Sequence, residues 1–190
     1  MLFGSKMPRA LIVGDSFVRR LERNPVGLNL PRWDVQYRGL PGADIARLWT
    51  AIQHHVPRRY DTVVIHVGSN DLCRSDDINA VVQSLLDLAM YVLSRWTVQQ
   101  VVISQVLLRR PNTRFRMRFT VAEYNRSVAS VNETLRNRCR QLDGVTFWRH
   151  ARLHNDSLFC HDGVHLNVRG ETRFLNSLRG ALLATETVRR

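Results

Sequence analysis

The chain has 190 residues, of which 44% are hydrophobic, and this size and composition favour one globular domain with its own apolar core. No apolar run approaches the roughly 18 residues of a membrane-spanning helix, and the N-terminal segment is too short and interrupted for a signal peptide. Charge is the unusual property, since 28 basic against 16 acidic residues give a formal net charge of +12. Such a field attracts polyanions, but an arginine bias that only aids solubility explains it equally well.

The N-terminal half of the chain alternates buried runs with amphipathic segments. Ala10–Val13 is a short apolar run that stops at Gly14, as a buried parallel strand does. Phe17–Glu22 predicts one or two helical turns, and Trp33–Tyr37 alternates like a strand. Asp44–His54 carries apolar residues at helical spacing, which predicts a second helix.

The alternation continues through the C-terminal half. Thr62–Val67 predicts a buried strand that ends at Gly68, and Asp76 and Asp77 precede a helical pattern that runs to Val92. The remaining segments are, in order, a strand within Val98–Leu108, a polar loop at Arg109–Arg118, a long amphipathic helix over Val121–Leu142, a short strand at Val145–Trp148 and a closing helix over Val168–Thr185.

Strands that alternate with helices predict βαβ units, and therefore a parallel sheet with helices on both faces. No repeat, linker or change of composition divides the chain. We interpret residues 1–8 as a tail and residues 9–190 as a single α/β domain. Three cysteines, Cys73, Cys139 and Cys160, form neither a disulfide framework nor a metal knuckle. We therefore expect a reducing, intracellular and cytoplasmic location.

A serine near the N-terminus and an Asp/His pair near the C-terminus predict nucleophilic chemistry. Ser16 follows the first strand, where ligands bind in open parallel sheets. Asp162 and His165 are three residues apart, so the carboxylate can orient the imidazole that takes the serine proton. The alternatives are structural: Ser16 as a helix N-cap, and the Asp/His pair as a cap of the last helix.

Donors for an oxyanion are predicted after the first three strands. The Ser16 backbone N–H, the Gly42 backbone N–H and the Asn70 side-chain amide are the candidates. Taken singly, Gly42 and the Gly68-Ser69-Asn70-Asp71 segment also fit ordinary turns.

A polyanion site is a further hypothesis. Five arginines crowd the loop after the fourth strand, with Phe115 and Phe119 between them. They are Arg109, Arg110, Arg114, Arg116 and Arg118. Guanidinium forks with aromatic platforms suit single-stranded nucleic acid or, with the phenylalanines inserted, an anionic membrane. A solvated loop is the alternative. A metal site at His154, Cys160 and His161 is disfavoured, because the spacing matches no standard zinc motif.

Together these segments resemble the SGNH (GDSL-type) hydrolase family over nearly the whole chain. The order Gly-Asp-Ser, a lone Gly, Gly-x-Asn-Asp and Asp-x-x-His carries the resemblance. It implies a three-layer α/β/α sandwich with a five-stranded parallel sheet in flavodoxin-like order. It also implies the nucleophile Ser16, the catalytic Asp162 and His165, an oxyanion hole at Gly42 and Asn70, and esterase or lipase chemistry without metal or cofactor.

The wording of "VGDSFVRRL", "RGLPGADI", "IHVGSNDL" and "LFCHDGVHLNVRG" further resembles the esterase domain in the first open reading frame of vertebrate LINE-type retrotransposons. This resemblance implies a domain of an RNA-associated protein. We predict hydrolysis of short-chain, acetyl-type esters or lipids. The alternative is a catalytically weak module that keeps the fold and binds RNA or membrane. An α/β-hydrolase is disfavoured, since the chain has no G-x-S-x-G elbow.

Overall fold

The fold was analysed in a computed structural model that describes residues 7–24, 26–55, 59–111 and 118–187. Ten main elements alternate along the chain as β1 (Arg9–Gly14), α1 (Ser16–Leu21), β2 (Asp34–Gly39), α2 (Ile45–Gln53), β3 (Thr62–His66), α3 (Ile78–Arg95), β4 (Gln100–Ser104), α4 (Val121–Cys139), β5 (Val145–Trp148) and α5 (Val168–Thr187). A 3-10 turn at Asp156–Leu158 precedes α5. No helix within the described ranges is long and apolar enough to cross a membrane.

The five strands form one parallel sheet in the order β2-β1-β3-β4-β5. The predicted five-stranded parallel sheet with flavodoxin-like order is thereby confirmed. β1 lies between β2 and β3, and its last residue, Gly14, is in register with both Gly39 and His66. The loops that follow these three strands therefore meet at the carboxyl end of the sheet.

Two apolar clusters make the fold a three-layer sandwich. The larger cluster packs α2, α3 and α4 against one face of the sheet, and the smaller packs α1 and α5 against the other. β1, β3 and β4 contribute to both clusters, as expected for strands covered on both faces. β2 is only half-buried along its whole length, consistent with its place at the sheet edge.

The start of α1 differs from the prediction. Asp15, rather than Ser16, is the N-cap: its carboxylate accepts a hydrogen bond from the Phe17 N–H at 3.0 Å. Ser16 is the first helical residue, so its side chain is not needed to cap the helix. The alternative interpretation of Ser16 as a capping serine is therefore wrong, and its hydroxyl remains available for other contacts.

Close approach of two strands requires glycine at position 14. A Cβ built on Gly14 would lie 2.1 Å from the His66 carbonyl oxygen and 2.6 Å from a methyl group of Val18. The next residue continues this approach, since the Asp15 N–H donates to the His66 carbonyl at 3.2 Å. Gly14 thus lets the chain turn from β1 into α1 directly beside the end of β3.

Candidate active site

Ser16, His165 and Asp162 form a continuous chain of hydrogen bonds. The Ser16 Oγ lies 3.0 Å from His165 Nε2, and His165 Nδ1 lies 2.7 Å from Asp162 Oδ2. An ionised carboxylate can only accept, so Nδ1 carries the ring hydrogen and Nε2 is left to accept from the serine hydroxyl. The structure thus brings together, across 149 residues of sequence, the three side chains predicted as a triad.

Asp162 is held in its acceptor role by its own turn. Its Oδ1 accepts the backbone N–H groups of Val164 and His165, each at 2.9 Å. Burial alone would raise the pKa of Asp162, but the hydrogen bonds from the side chain and backbone of His165 and the backbone of Val164 lower it below its ordinary value. The carboxylate therefore remains ionised and can stabilise a positively charged imidazole.

The segment Cys160–His165, which we call the Asp/His loop, is held by hydrogen bonds on two sides. Within it, the Cys160 N–H donates to the His165 carbonyl at 2.7 Å. From outside, the Arg110 N–H donates to the Gly163 carbonyl at 2.8 Å, which ties it to the loop after β4. The Asp/His pair does not cap α5, because Asn167 does so by accepting the Gly170 N–H. That structural alternative is also wrong.

The predicted oxyanion donors come from loops at the carboxyl end of the sheet, where Ser16 also lies. Gly42 is exposed with a φ of +70°, a conformation that favours glycine, and no atom lies within 4 Å of the position of its missing Cβ. The Asn70 Nδ2 donates to the Ala43 carbonyl at 2.8 Å, which joins the loops after β2 and β3. An amide nitrogen has two hydrogens, so this contact orients Asn70 and leaves a second donor for a ligand.

Asp71 adds a second link between the same two loops. Both of its carboxylate oxygens accept the Ile45 N–H, at 3.1 and 3.2 Å, at the start of α2. Desolvation raises the pKa of Asp71. The turn interpretation of this segment is thus incomplete, since Asn70 and Asp71 make contacts with a distant part of the chain.

The arginine cluster after β4 does not form one solvated surface. Arg109 is 2% exposed, and its guanidinium lies 4.8 Å from the ring centre of Tyr124. Because its side chain is packed in the interior, the prediction of Arg109 as a surface contact for polyanions is wrong. Arg110 pairs with Asp156 at 2.7 Å and lies over the Phe159 ring.

Among the described members of the cluster, Arg118 lies at the surface, with its guanidinium 5.5 Å from the ring centre of Phe119. Arg114, Arg116 and Phe115 fall outside the described residues. The disfavoured metal site is not assembled either. Within the described residues, no group of three or more His, Cys, Asp or Glu side chains is placed to hold a metal ion.

Polar residues that the sequence analysis did not single out lie beneath the site. His66 Nδ1 contacts the Ser104 Oγ at 2.8 Å, and that oxygen contacts His150 Nε2 at 2.7 Å. His150 Nδ1 then contacts the Ser177 Oγ at 2.8 Å. The Phe17 ring packs against both His66 and His165, so this buried chain of contacts lies behind His165. The sequence signal that could have revealed this buried chain is His66, a histidine inside the otherwise apolar Thr62–Val67 run.

Comparison with known proteins shows the family of the chain. A model of the GDSL-like lipase/acylhydrolase family matches residues 12–173. The chain belongs to this family. A comparison with curated proteins found no match. The family match spans the segments that carry the Gly-Asp-Ser motif, Gly42, Asn70 and the Asp/His pair.

Solved structures show the same fold at low identity. A GDSL-like lipase from Bacteroides thetaiotaomicron is 14% identical with a TM-score of 0.78, and the match covers 95% of this chain and 90% of the lipase. A mutant of an acetyl-xylooligosaccharide esterase from Geobacillus is 18% identical with a TM-score of 0.62, over 91% and 94% of the two chains. An acetyl esterase mutant with bound acetate is 12% identical with a TM-score of 0.68, over 97% and 100%. These likenesses show the fold.

Proposed function

We propose that the protein is a serine esterase that hydrolyses short-chain, acetyl-type esters. The observation that carries this proposal is the unbroken chain of contacts from Asp162 through His165 to the Ser16 hydroxyl, at 2.7 and 3.0 Å. Serine is a weak nucleophile at neutral pH, and this arrangement supplies both the base and the carboxylate that orients the base.

The proposed reaction has two acyl-transfer steps. The Ser16 Oγ attacks the carbonyl carbon of the ester while its proton moves to His165 Nε2. The negative charge on the carbonyl oxygen faces the Ser16 N–H, the Gly42 N–H and the Asn70 amide. The bond to the alkoxy oxygen then breaks, and the proton on Nε2 leaves with the alcohol. Water repeats the sequence on the acyl-Ser16 ester and releases the acid.

The preference for small acyl groups rests on likeness of fold. The fold is shared with an acetyl esterase and an acetyl-xylooligosaccharide esterase. A surface cavity of about 670 Å³ borders the Asp/His loop, but its lining includes neither Ser16 nor His165, so it does not define the acyl site.

Replacement of the nucleophile tests the proposal. Ser16→Ala should leave the fold intact and reduce kcat on an acetyl aryl ester by ~10³-fold or more, because triad members act as a unit. Wild type should form one covalent adduct on Ser16 with an organophosphonate, and Ser16→Ala should form none. More than a tenth of wild-type activity in a clean Ser16→Ala preparation would rule out the serine mechanism.

A second candidate function rests on charge. The formal net charge of +12 and the exposed Arg118 beside Phe119 suit a surface that binds single-stranded RNA or anionic lipid. On the wording of its motifs alone, we propose that the domain derives from the first open reading frame of a LINE-type retrotransposon, where RNA association would have a purpose. Wild-type protein without esterase activity, but with salt-dependent RNA binding, would favour this function.

A further inference from the structure

Ser69, which immediately precedes Asn70, is a meeting point for buried donors. The side chain is 6% exposed, and its Oγ accepts a hydrogen bond from the Tyr124 hydroxyl at 3.1 Å. The Arg109 Nη2 donates to the same oxygen over a longer distance of 3.4 Å. The Ser69 carbonyl in turn accepts from the Cys73 thiol at 3.0 Å. Both the side chain and the backbone of Ser69 are therefore fixed.

Arg109 reaches Ser69 from a backbone that is itself anchored. Its N–H donates to the Asn125 side-chain oxygen at 2.9 Å, and its carbonyl accepts from the Asn125 amide at 2.9 Å. Its guanidinium stacks over the Tyr124 ring. An arginine buried to this extent loses its hydration, so it is stable only where fixed partners replace water. Such partners hold its planar fork in one orientation.

The Tyr124 hydroxyl is the closer of the two donors to the Ser69 Oγ. The side chain is 1% exposed, and its hydroxyl also lies 3.3 Å from the Leu107 carbonyl. Burial raises the pKa of Tyr124 well above its ordinary range, so the phenol stays protonated. Tyr124 lies on α4, which packs on the same face of the sheet as α2 and α3. The hydrogen bond to Ser69 therefore connects a helix of the core to the segment that carries Asn70.

A further hydrogen bond fixes the Asn70 side chain itself. Its amide donates to the Ala43 carbonyl, so Asn70 lies between one contact with the loop after β2 and a fixed neighbour at Ser69. Amide donors stabilise an oxyanion only when they are already oriented toward it. A small rotation of the Gly68–Asn70 backbone would turn the amide away from the carbonyl oxygen of the ester.

We infer that Arg109 and Tyr124 are positioning residues that act through Ser69 to hold the Asn70 amide in the oxyanion hole. This inference rests on the proposed esterase function. Neither residue touches the substrate. Their effect on the reaction therefore passes through the orientation of Asn70, and it disappears when the Asn70 amide is removed.

A double-mutant cycle tests this directly. Tyr124→Phe and Ser69→Ala are each measured alone and combined with Asn70→Ala, with kcat and KM determined on an acetyl aryl ester. Each should lower kcat by about 10-fold, the worth of roughly one hydrogen bond, and change KM by less than about twofold. In the Asn70→Ala background, the same substitutions should change kcat by less than about twofold.

Tyr60→Phe is the matched control. Tyr60 is also buried, at 2% exposed, and its hydroxyl donates to the Gln36 side chain at 2.9 Å. It lies just before β3, at the opposite end of the strand from Asn70. Tyr60→Phe should leave kcat unchanged in both backgrounds, even where it lowers the melting temperature as much as Tyr124→Phe does.

Arg109→Lys separates position from charge, since lysine keeps the cation but lacks the planar fork. We expect a decrease in kcat that is again absent with Asn70→Ala. If Arg109→Lys does not fold, Tyr124→Phe and Ser69→Ala carry the test. Equal decreases in kcat with and without the Asn70 amide would overturn the inference. Wild type that neither hydrolyses esters nor reacts with an organophosphonate would instead overturn the proposed function.

Discussion

Two buried histidines should make the fold sensitive to acid. His66 and His150 are 2% and 4% exposed and share the Ser104 hydroxyl between them. Desolvation lowers the pKa of His66 to about 3. Desolvation, and after it the charge of His66, lowers the pKa of His150 well below its ordinary value. Both rings therefore stay neutral in the folded protein under mildly acidic conditions.

The sign of the effect follows from proton linkage. An unfolded histidine binds a proton as the pH falls through about 6.5, whereas the folded His66 does so only near pH 3. The stability that each ring contributes is therefore complete above pH 6.5 and is lost as the pH falls. Between pH 7 and pH 5, the unfolded state gains about 2 kcal/mol from His66, and the lowered pKa of His150 adds a loss of the same sign.

Asp15 works in the opposite direction. Burial raises the pKa of this N-cap carboxyl to about 7. Between about pH 7 and pH 4 the folded protein keeps a proton that the unfolded chain has released, so acid stabilises the fold through Asp15 by about 2 kcal/mol between pH 7 and pH 5. The effect of His66 has about the same size and the opposite sign, and His150 adds to it, so these three groups together lower the stability on acidification.

Urea denaturation at pH 7 and pH 5 checks the reasoning, with the difference in unfolding free energy between the two pH values as the readout. His66→Asn keeps a polar atom near Ser104, and it should reduce the acid loss by about 2 kcal/mol relative to wild type. Asp15→Asn keeps the capping oxygen, and it should increase that loss by about 2 kcal/mol. Identical pH differences in wild type and both variants would refute the argument.

Four other results are expected. Asn70→Ala should lower kcat by ~10²–10³-fold with little change in KM, and an effect on KM alone would make it a turn residue only. Gly14→Ala should destabilise the fold by about 1–3 kcal/mol in urea denaturation, because the added Cβ meets the His66 carbonyl. A kcat/KM that climbs steadily from acetyl to palmitoyl esters would contradict the short-chain proposal. If RNA binds the loop after β4, the arginines left to contact phosphates are Arg114, Arg116 and Arg118, because Arg109 is buried and Arg110 is in an ion pair. Three contacts give a log–log salt slope of at most about −2, and a slope nearer −3.5 would place the RNA elsewhere.

The layout of the fold follows from local patterns. Buried strands that alternate with amphipathic helices at short spacing admit few arrangements other than a doubly wound sheet. A parallel sheet then brings the residues after each strand to one edge, which is why Ser16, Gly42 and Asn70 could be grouped before any distance was known. The assembly of Asp162 and His165 with Ser16 was predictable for a different reason: the three residue types have one common use, and their order matches a family pattern.

Details set by distant partners were not predictable. The choice between Asp15 and Ser16 as the cap of α1 depends on where the helix starts, to within one residue, and sequence patterns do not locate helix ends that closely. The buried pair His66 and His150 depends on Ser104, which lies on β4, and on Ser177, which lies on α5. No local pattern joins these four positions.

Arg109 shows why counting charges does not locate a binding surface. In the sequence it is one of five arginines in a polar segment, and nothing distinguishes it from its neighbours. Its burial is decided by Asn125 and Tyr124, one helix later, and by Ser69 after a different strand. A guanidinium tolerates such a site because a flat cation can stack on a ring and donate at its edge simultaneously. Part of the net charge of +12 therefore lies inside the protein, beside the segment that carries Asn70, where an external polyanion does not reach it.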